Sequence, residues 1–242
     1  MKSHGILPFA LTSVLITTLS VVANEPPITD LAFTPEAKHV VAVSQSGIHV
    51  YSWPQLDHKR TIRTSALNLH CLAFSPNGSH IAVGGGAPSE DGVVEVFSWP
   101  EGEPVTRFDS HKDSVRSVVR QDDVKLLSGS IDRDIKLWHL KKETNAVSTL
   151  KGHSRSVDSI CLIGNGRTLV SSGADQSLRV WDVEAGSLIR SLNQHTKPVN
   201  ALRLRPMRDG LPMVASAARD KTIRFWQPTI GRIDRYILID QS

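Results

Sequence analysis

Cysteine is nearly absent: two occur in 242 residues, Cys71 and Cys161, and neither stands in a CxxC, a CxxCH or a cluster with histidine. A structural zinc, a c-type haem and a disulfide framework are thereby left without ligands or partners. Proline and glycine, at 13 and 16 residues, are too few for a collagen-like or low-complexity chain. Aromatic residues make up 5% of the chain, yet five of them are Trp, so the few rings have assigned places. A Walker loop, a GxGxxG, an HExxH and a GxSxG elbow are all missing, which removes the common nucleotide, zinc-protease and serine-hydrolase signatures. No cofactor, metal centre or catalytic residue is expected, and the chain reads as not an enzyme.

Charge of one sign is also lacking, with 28 Lys and Arg against 24 Asp and Glu for a net of +4. At 40% hydrophobic and 21% charged residues, the composition is that of a globular chain able to bury a core. The one apolar run of note covers residues 6–22 and is broken by Pro8, Thr12, Ser13, Thr17, Thr18 and Ser20. That is short of the roughly 20 apolar residues a membrane-spanning helix needs. Lys2 is the only Lys, Arg or carboxylate before Asn24, and Val21-Val22-Ala23 offers small residues at the −3 and −1 positions of a cleavage site. Residues 1–23 are therefore expected to be a signal peptide cleaved near Ala23, which would make the chain exported, periplasmic or secreted, with no stable membrane span. Retention of the segment as an anchor, or as a strand over residues 11–22, are the alternatives.

What is present is a repeat. Segments 127–138, 170–181 and 215–226 superimpose without gaps: a Ser (Ser128, Ser171, Ser216) precedes an Asp by four positions (Asp132, Asp175, Asp220), and a Trp follows six later (Trp138, Trp181, Trp226). Upstream of each lies a His (His111, His153, His195), and then an alternating run such as residues 157–162. Period-two alternation predicts half-buried strands. Two earlier units repeat the strand pattern at 28–33, 40–44, 48–52 and at 69–74, 81–85, 93–98, with Tyr51 and Phe97 at the Trp position. Outer strands are predicted at 58–63, 105–108, 146–150, 188–192 and 233–239. The five aromatics are 46, 41, 43 and 45 residues apart, which matches the roughly 40 to 45 residues of a four-stranded propeller blade. Pro76-Asn77-Gly78-Ser79 and Gly164-Asn165-Gly166 supply turn residues for tight hairpins.

The chain resembles the WD-repeat (WD-40 type, G-protein β-subunit-like) β-propeller family, whose blades carry Gly-His near the start and Trp-Asp near the end. Gly152-His153 and Trp181-Asp182 match both, whereas the third and fifth units end in Trp138-His139 and Trp226-Gln227, and the first two lack the His, Asp and Trp. The expected fold is all-β, a propeller of four-stranded antiparallel blades covering about 24–63, 64–108, 109–150, 151–192 and 193–239. The resemblance implies that each Ser, His, Asp and Trp set is a buried hydrogen-bond tetrad, Trp donating to Ser, Ser to His and His to Asp. A nucleophilic triad would not be needed three times, and a buried polar group left unpaired costs about 1–3 kcal/mol, which is reason enough to keep the network.

The same resemblance implies about seven blades in a closed ring, and five are present. Either five blades close, or the chain is part of a larger ring, or it self-associates through open blade faces, since uncovered faces would exceed the few hundred Å² a soluble monomer tolerates. The expected function is protein–protein or polymer binding as a scaffold, through the loops facing the central channel. Lys112, Asp113, Arg155, Lys197 and Arg219, with Ile131 and Ala174, are the candidate partner-binding residues. Residues 199–242 carry Arg203, Arg205, Arg208, Arg219, Lys221, Arg224, Arg232 and Arg235 against Asp209, Asp220, Asp234 and Asp240. This marks the C-terminal blade as a surface for an acidic peptide or anionic polymer, or simply as the wet side of strands. Nucleic acid is not expected. The alternative is a docking or sensor part of a larger, enzyme-linked extracytoplasmic polypeptide. The loop 87–92, with Glu90 and Asp91, reads as a lengthened surface hairpin, and Cys71 and Cys161 as small buried strand residues out of reach of each other.

Overall fold

Alternating branched and polar residues turn every second side chain of a strand to one face, so a chain that repeats the pattern builds sheets with faces to bury. A computed structural model describes residues 26–142, 145–164, 166–205 and 210–239, and in them the chain forms twenty strands and no helix. Chain order is sheet order. The first sheet is β1 (Asp30–Phe33), β2 (His39–Ser44), β3 (Gly47–Ser52) and β4 (His58–Ile62); the second is β5 (Cys71–Phe74), β6 (His80–Gly85), β7 (Gly92–Ser98) and β8 (Pro104–His111). The third is β9 (Val115–Arg120), β10 (Lys125–Ser130), β11 (Ile135–His139) and β12 (Ser148–Leu150). The fourth is β13 (Val157–Ile163), β14 (Thr168–Gly173), β15 (Leu178–Asp182) and β16 (Ser187–Leu192); the fifth is β17 (Val199–Leu204), β18 (Val214–Ala218), β19 (Thr222–Gln227) and β20 (Arg232–Leu238). All neighbouring pairs are antiparallel, each sheet is one propeller blade, and the all-β expectation holds. The main departure in strand length is β8, which runs on to His111 because that residue pairs with Gly92 past a bulge. In the hairpin turn between β5 and β6, Gly78 adopts φ +73°, a left-handed conformation that glycine takes at little cost.

Blades pack face to face. Ile48, Ile62, Leu69, Leu72 and Phe97 belong to one core between the first two blades; Phe108, Val115, Val118 and Trp138 to the next. Leu150, Val157, Ile160 and Trp181, then Leu192, Val199, Leu202 and Trp226, form the third and fourth seams. Polar latches cross three of them: Asp30 Oδ2 accepts from the Leu72 amide at 3.0 Å, Ser117 Oγ from Ile160 at 3.2 Å and Ser159 Oγ from Leu202 at 3.1 Å. The innermost strands β1, β5, β9, β13 and β17 line one cavity of about 440 Å³, with Thr29, His70, Arg116, Asp158 and Asn200 at the corresponding place in successive blades. Among the described residues no apolar core joins the fifth blade to the first.

Candidate functional site

The repeated Ser, His, Asp and Trp side chains come together in each of the last three blades. Trp138 Nε1 donates to Ser128 Oγ at 2.7 Å, and that hydroxyl lies 2.7 Å from His111 Nε2, whose Nδ1 is 2.8 Å from Asp132 Oδ2. In the fourth blade the corresponding separations are 2.8 Å from Trp181 to Ser171, 2.7 Å from Ser171 to His153 and 2.9 Å from His153 to Asp175. In the fifth they are 2.8 Å from Trp226 to Ser216, 2.7 Å from Ser216 to His195 and 2.7 Å from His195 to Asp220.

Each Asp works at two ends. Its Oδ1 accepts from the amide two residues on, Asp134 at 3.0 Å, Ser177 at 3.2 Å and Thr222 at 3.0 Å. That Asx turn supports the intervening Arg133, Gln176 and Lys221 at φ 78°, 69° and 64°, left-handed positions that a side chain with a Cβ rarely takes unaided. Oδ2 meanwhile holds the His and the amide after it, Lys112 at 2.9 Å, Ser154 at 3.1 Å and Thr196 at 3.1 Å. The carboxylate thus ties the loop entering a blade to the turn between its second and third strands.

Burial alone would push these carboxyls up, but the bonds outweigh it. Asp132 is held at about 2 by His111 and the amides of Lys112 and Asp134. Asp175, bonded to His153 and Ser177, and Asp220, bonded to Thr222 and His195, lie lower still. Burial lowers His195, against the opposing pull of Asp220. Ser128 and Ser171 are 0% exposed and Ser216 1%, and each hydroxyl already meets an indole and an imidazole. No substrate carbonyl reaches such an oxygen, so the triad-like sets are blade interior and not a reaction centre.

The second blade does something the sequence reading missed. Ser65 stands at the chain position of His111, His153 and His195, seven residues before Leu72, Val118, Ile160 and Leu202 respectively. The position of Lys136, Arg179 and Arg224 is taken by Glu95, which pairs with Val83 as those residues pair with their serines. The buried Glu95 carboxylate accepts from the Ser65 amide at 3.2 Å, from the Ser65 hydroxyl and from Arg107 at 3.0 Å. An ion pair therefore replaces the aromatic tetrad. A second missed signal is a tripeptide: Ser52-Trp53-Pro54 and Ser98-Trp99-Pro100 recur at the same place in the first two blades. Trp99 packs edge-on against Phe74 at 5.3 Å and Trp53 against Phe33 at 5.1 Å. Arg60 of the first blade lies 5.5 Å from the Trp99 ring and donates to the carbonyls of Pro100 and Glu101.

The candidate partner-binding residues sit on the loops that the Asp side chains tie down. Homologous backbone bonds join them: Ile131 N to Ser114 O at 3.1 Å, Ala174 N to Ser156 O at 3.0 Å and Arg219 N to Pro198 O at 2.9 Å. Lys112, Arg155, Lys197 and Arg219 are exposed. Asp113 is engaged within the chain, accepting from the amides of Ser89 at 2.9 Å and Ser114 at 2.8 Å. Asp91 is likewise used up, bonding the Ala87 amide at 2.7 Å. Much of the C-terminal basic set is also committed: Arg203 donates to Leu202 O, Arg224 lies over the Tyr236 ring and near Asp220, and Arg235 pairs with Asp234. Arg208, Asp209, Asp240 and the turn residue Asn165 lie outside the described residues. Cys71 and Cys161 are free and buried, in separate blades.

Among curated proteins, the chain is 32% identical over 149 residues to nuclear distribution protein nudF 1 of Talaromyces marneffei, covering 60% of this chain and 32% of that protein. It is 31% identical over 195 residues to nuclear distribution protein PAC1 of Arthroderma otae, 74% of this chain and 40% of that one. It is also 28% identical over 163 residues to the anaphase-promoting complex subunit cdc20 of Dictyostelium discoideum, 66% of this chain and 32% of that one. The chain thus spans about a third to two fifths of the length of these relatives. Their names belong to processes inside the cell, nuclear distribution and anaphase, and this overturns the exported, periplasmic or secreted location expected from the N-terminal apolar run. The extracytoplasmic setting of the alternative reading falls with it. The run itself, with the cleavage site expected near Ala23, lies outside the described residues, among which no helix is long and apolar enough to cross a membrane. The WD domain, G-beta repeat matches four times, at residues 57–98, 102–139, 144–182 and 186–227. Each match begins on or just before the outer strand of one blade and ends with the third strand of the next, and on that evidence the chain belongs to the WD40 (WD domain, G-beta repeat) family.

Proposed function

We propose that the chain is a non-enzymatic interaction scaffold whose loop-built face, around the mouth of the central cavity, takes an acidic protein surface. The observation that carries this reading is the set of exposed cations Lys112, Arg155, Lys197 and Arg219 on loops fixed by three homologous backbone bonds. Arg116, also exposed, lines the cavity from one of the inner strands that these loops lead into. The one carboxylate expected to share the face, Asp113, is satisfied internally. The carboxylate near Arg116 and Arg219 is Asp158, in the cavity itself, so the loops present Lys112, Arg155 and Lys197 as outward cations. Rigid loops on a sheet scaffold place such charges without an ordering cost, and clustered cations steer an anionic partner. Relatives named for nuclear distribution and for the anaphase-promoting complex agree with a role in protein assemblies.

The triple variant Arg155→Glu, Lys197→Glu, Arg219→Glu tests this. Melting should shift little, because the three side chains are exposed, while capture of the partner that the unaltered protein retains should be lost. Capture that survives the triple reversal would remove the loop face from the binding site. Capture by the unaltered protein should weaken as salt rises toward 1 M, where the Debye length falls to about 3 Å.

A further inference from the structure

Beyond the loop face, the first and fifth blades carry, among the described residues, the two unmatched halves of a fifth seam. In every internal seam the same positions of the inner strand are buried: Leu69 and Leu72 at 0% and 7% exposure, Val115 and Val118 at 0% and 5%, Val157 and Ile160 at 0% and 4%, Val199 and Leu202 at 0% and 1%. At the corresponding positions of the first blade, Ile28 and Leu31 are 49% and 58% exposed. On the opposite side of each seam the outer strand contributes Ile62, Phe108, Leu150 or Leu192, all below 9% exposure, whereas Ile237 of the fifth blade is 50% exposed. Register fixes that equivalence, since Ile62 pairs with Ile48, Leu192 with Leu178 and Ile237 with Ile223.

The polar partners match as well. Two residues before Ile62 stands Arg60, which reaches across the first seam to lie over Trp99. Two residues before Ile237 stands Arg235, with 73% of its side chain exposed and, among the described residues, only the adjacent Asp234 as partner. Trp53, the first-blade counterpart of Trp99, is 47% exposed where Trp99 is 8%. A cation on the fifth blade and an uncovered indole on the first are therefore the same pair that closes the seam between blades one and two.

We propose that the open face of the fifth blade docks the open face of the first blade of a second copy of this chain, head to tail, with Arg235 over the partner's Trp53 and Ile237 against the partner's Ile28 and Leu31. Such an interface is heterologous, so association continues beyond a dimer until a ring or filament results. The loop face remains free in this arrangement, and the interface stands whether or not the loop face binds an acidic partner.

Light scattering on the full chain, with and without two exposed-site variants, tests it. Leu31→Glu blocks one half-seam and Ile237→Glu the other, and neither residue is part of an internal core. The unaltered chain should exceed the monomer mass of 26.5 kDa increasingly with concentration, and each variant alone should remain monomeric. An equimolar mixture of the two variants, which together hold one intact seam, should rise to twice the monomer mass and no further. Acrylamide quenching of Trp53 should drop on mixing, and Arg235→Glu in the Leu31→Glu partner should abolish both effects. A monomer at all concentrations would overturn the proposal, as would self-association of either single variant, which would mean a symmetric contact, or a mixture that stays monomeric. The triple loop-face variant should associate as the unaltered chain does, so loss of partner binding and loss of this seam are separately readable.

Discussion

The Glu95 carboxylate accepts a hydrogen bond from the Ser65 amide at 3.2 Å, and a second bond comes from the Ser65 hydroxyl. Ser65 fills the chain position where three other blades place a tetrad histidine, so the second blade ties its entering loop to its third strand with a carboxylate instead of an imidazole. Arg107, on the adjacent outer strand, neutralises it at 3.0 Å. The link has the same mechanical purpose as the tetrads, joining a loop to a sheet interior, and opposite electrostatics, because Lys136, Arg179 and Arg224 occupy the Glu95 position elsewhere.

Glu95→Ala should therefore destabilise the protein, by about 1–3 kcal/mol, since it strips three donors of a buried acceptor. Glu95→Gln, which keeps an acceptor oxygen and loses the charge opposite Arg107, should cost less. Chemical denaturation of both variants ranks them. Equal costs would mean that the charge opposite Arg107 carries the link and that a neutral acceptor at this position contributes nothing.

The propeller was legible because its period is written in residues that burial constrains. Ser128, Asp132 and Trp138 recur at fixed spacing in two further blades since one network dictates all three. Glu95 was not legible: its partners lie 30 residues before it and 12 after it, and a single acidic residue in a strand carries no repeat to betray it. Asp113 misled for a related reason. Its loop position marks it as outward-facing, but the lengthened hairpin of the preceding blade brings the Ser89 amide within 2.9 Å. Trp53 and Trp99 had a visible signal, the repeated Ser-Trp-Pro, whose meaning depends on an arginine from a neighbouring blade.

Within a tetrad the indole and the hydroxyl should contribute differently. Trp181 is 1% exposed and packs in the third seam, so Trp181→Ala should cost about 3–5 kcal/mol through the cavity it leaves. Ser171→Ala leaves the volume nearly intact but orphans the Trp181 and His153 nitrogens, for about 1–3 kcal/mol. Equilibrium unfolding by urea, followed by fluorescence for the serine variant and circular dichroism for both, should show that order. A Ser171→Ala cost equal to that of Trp181→Ala would place the tetrad's main contribution in hydrogen bonding and not in packing.

Both thiols should be inert in the folded state. Cys71 and Cys161 are 5% and 9% exposed. Burial pushes the Cys161 thiol up to about 12, against a slight opposing effect of Arg203, and raises Cys71 further with the help of Asp30. Since the thiolate is the reactive form, Ellman's reagent at pH 8 should titrate no thiol in the native protein and two in guanidinium chloride. Rapid reaction of one thiol under native conditions would reveal local opening of its seam.

Acid should unfold the protein in two stages, and the first belongs to histidine. His70 lines the central cavity, where burial and the Arg116 guanidinium, 3.2 Å from its Nδ1, hold it down at about 4; burial lowers His195 as well. An unfolded histidine titrates near 6.5, so between about pH 6.5 and 4 the unfolded chain binds more protons than the folded one, and stability falls as pH falls. Asp158, in the same cavity, is raised by burial and acts in the opposite sense, since the folded state binds its proton first. Below about pH 4 the second stage begins, as Asp132, held at about 2, and the lower-lying Asp175 and Asp220 lose the advantage they have over unfolded carboxylates. Denaturation midpoints measured from pH 7 to 3 should thus decline through both windows. His70→Asn, which cannot take up a proton beside Arg116, should flatten the upper window and leave the lower one unchanged. An upper window that keeps its slope in this variant would assign the loss to His195 and to His80, which burial also lowers, instead of the channel.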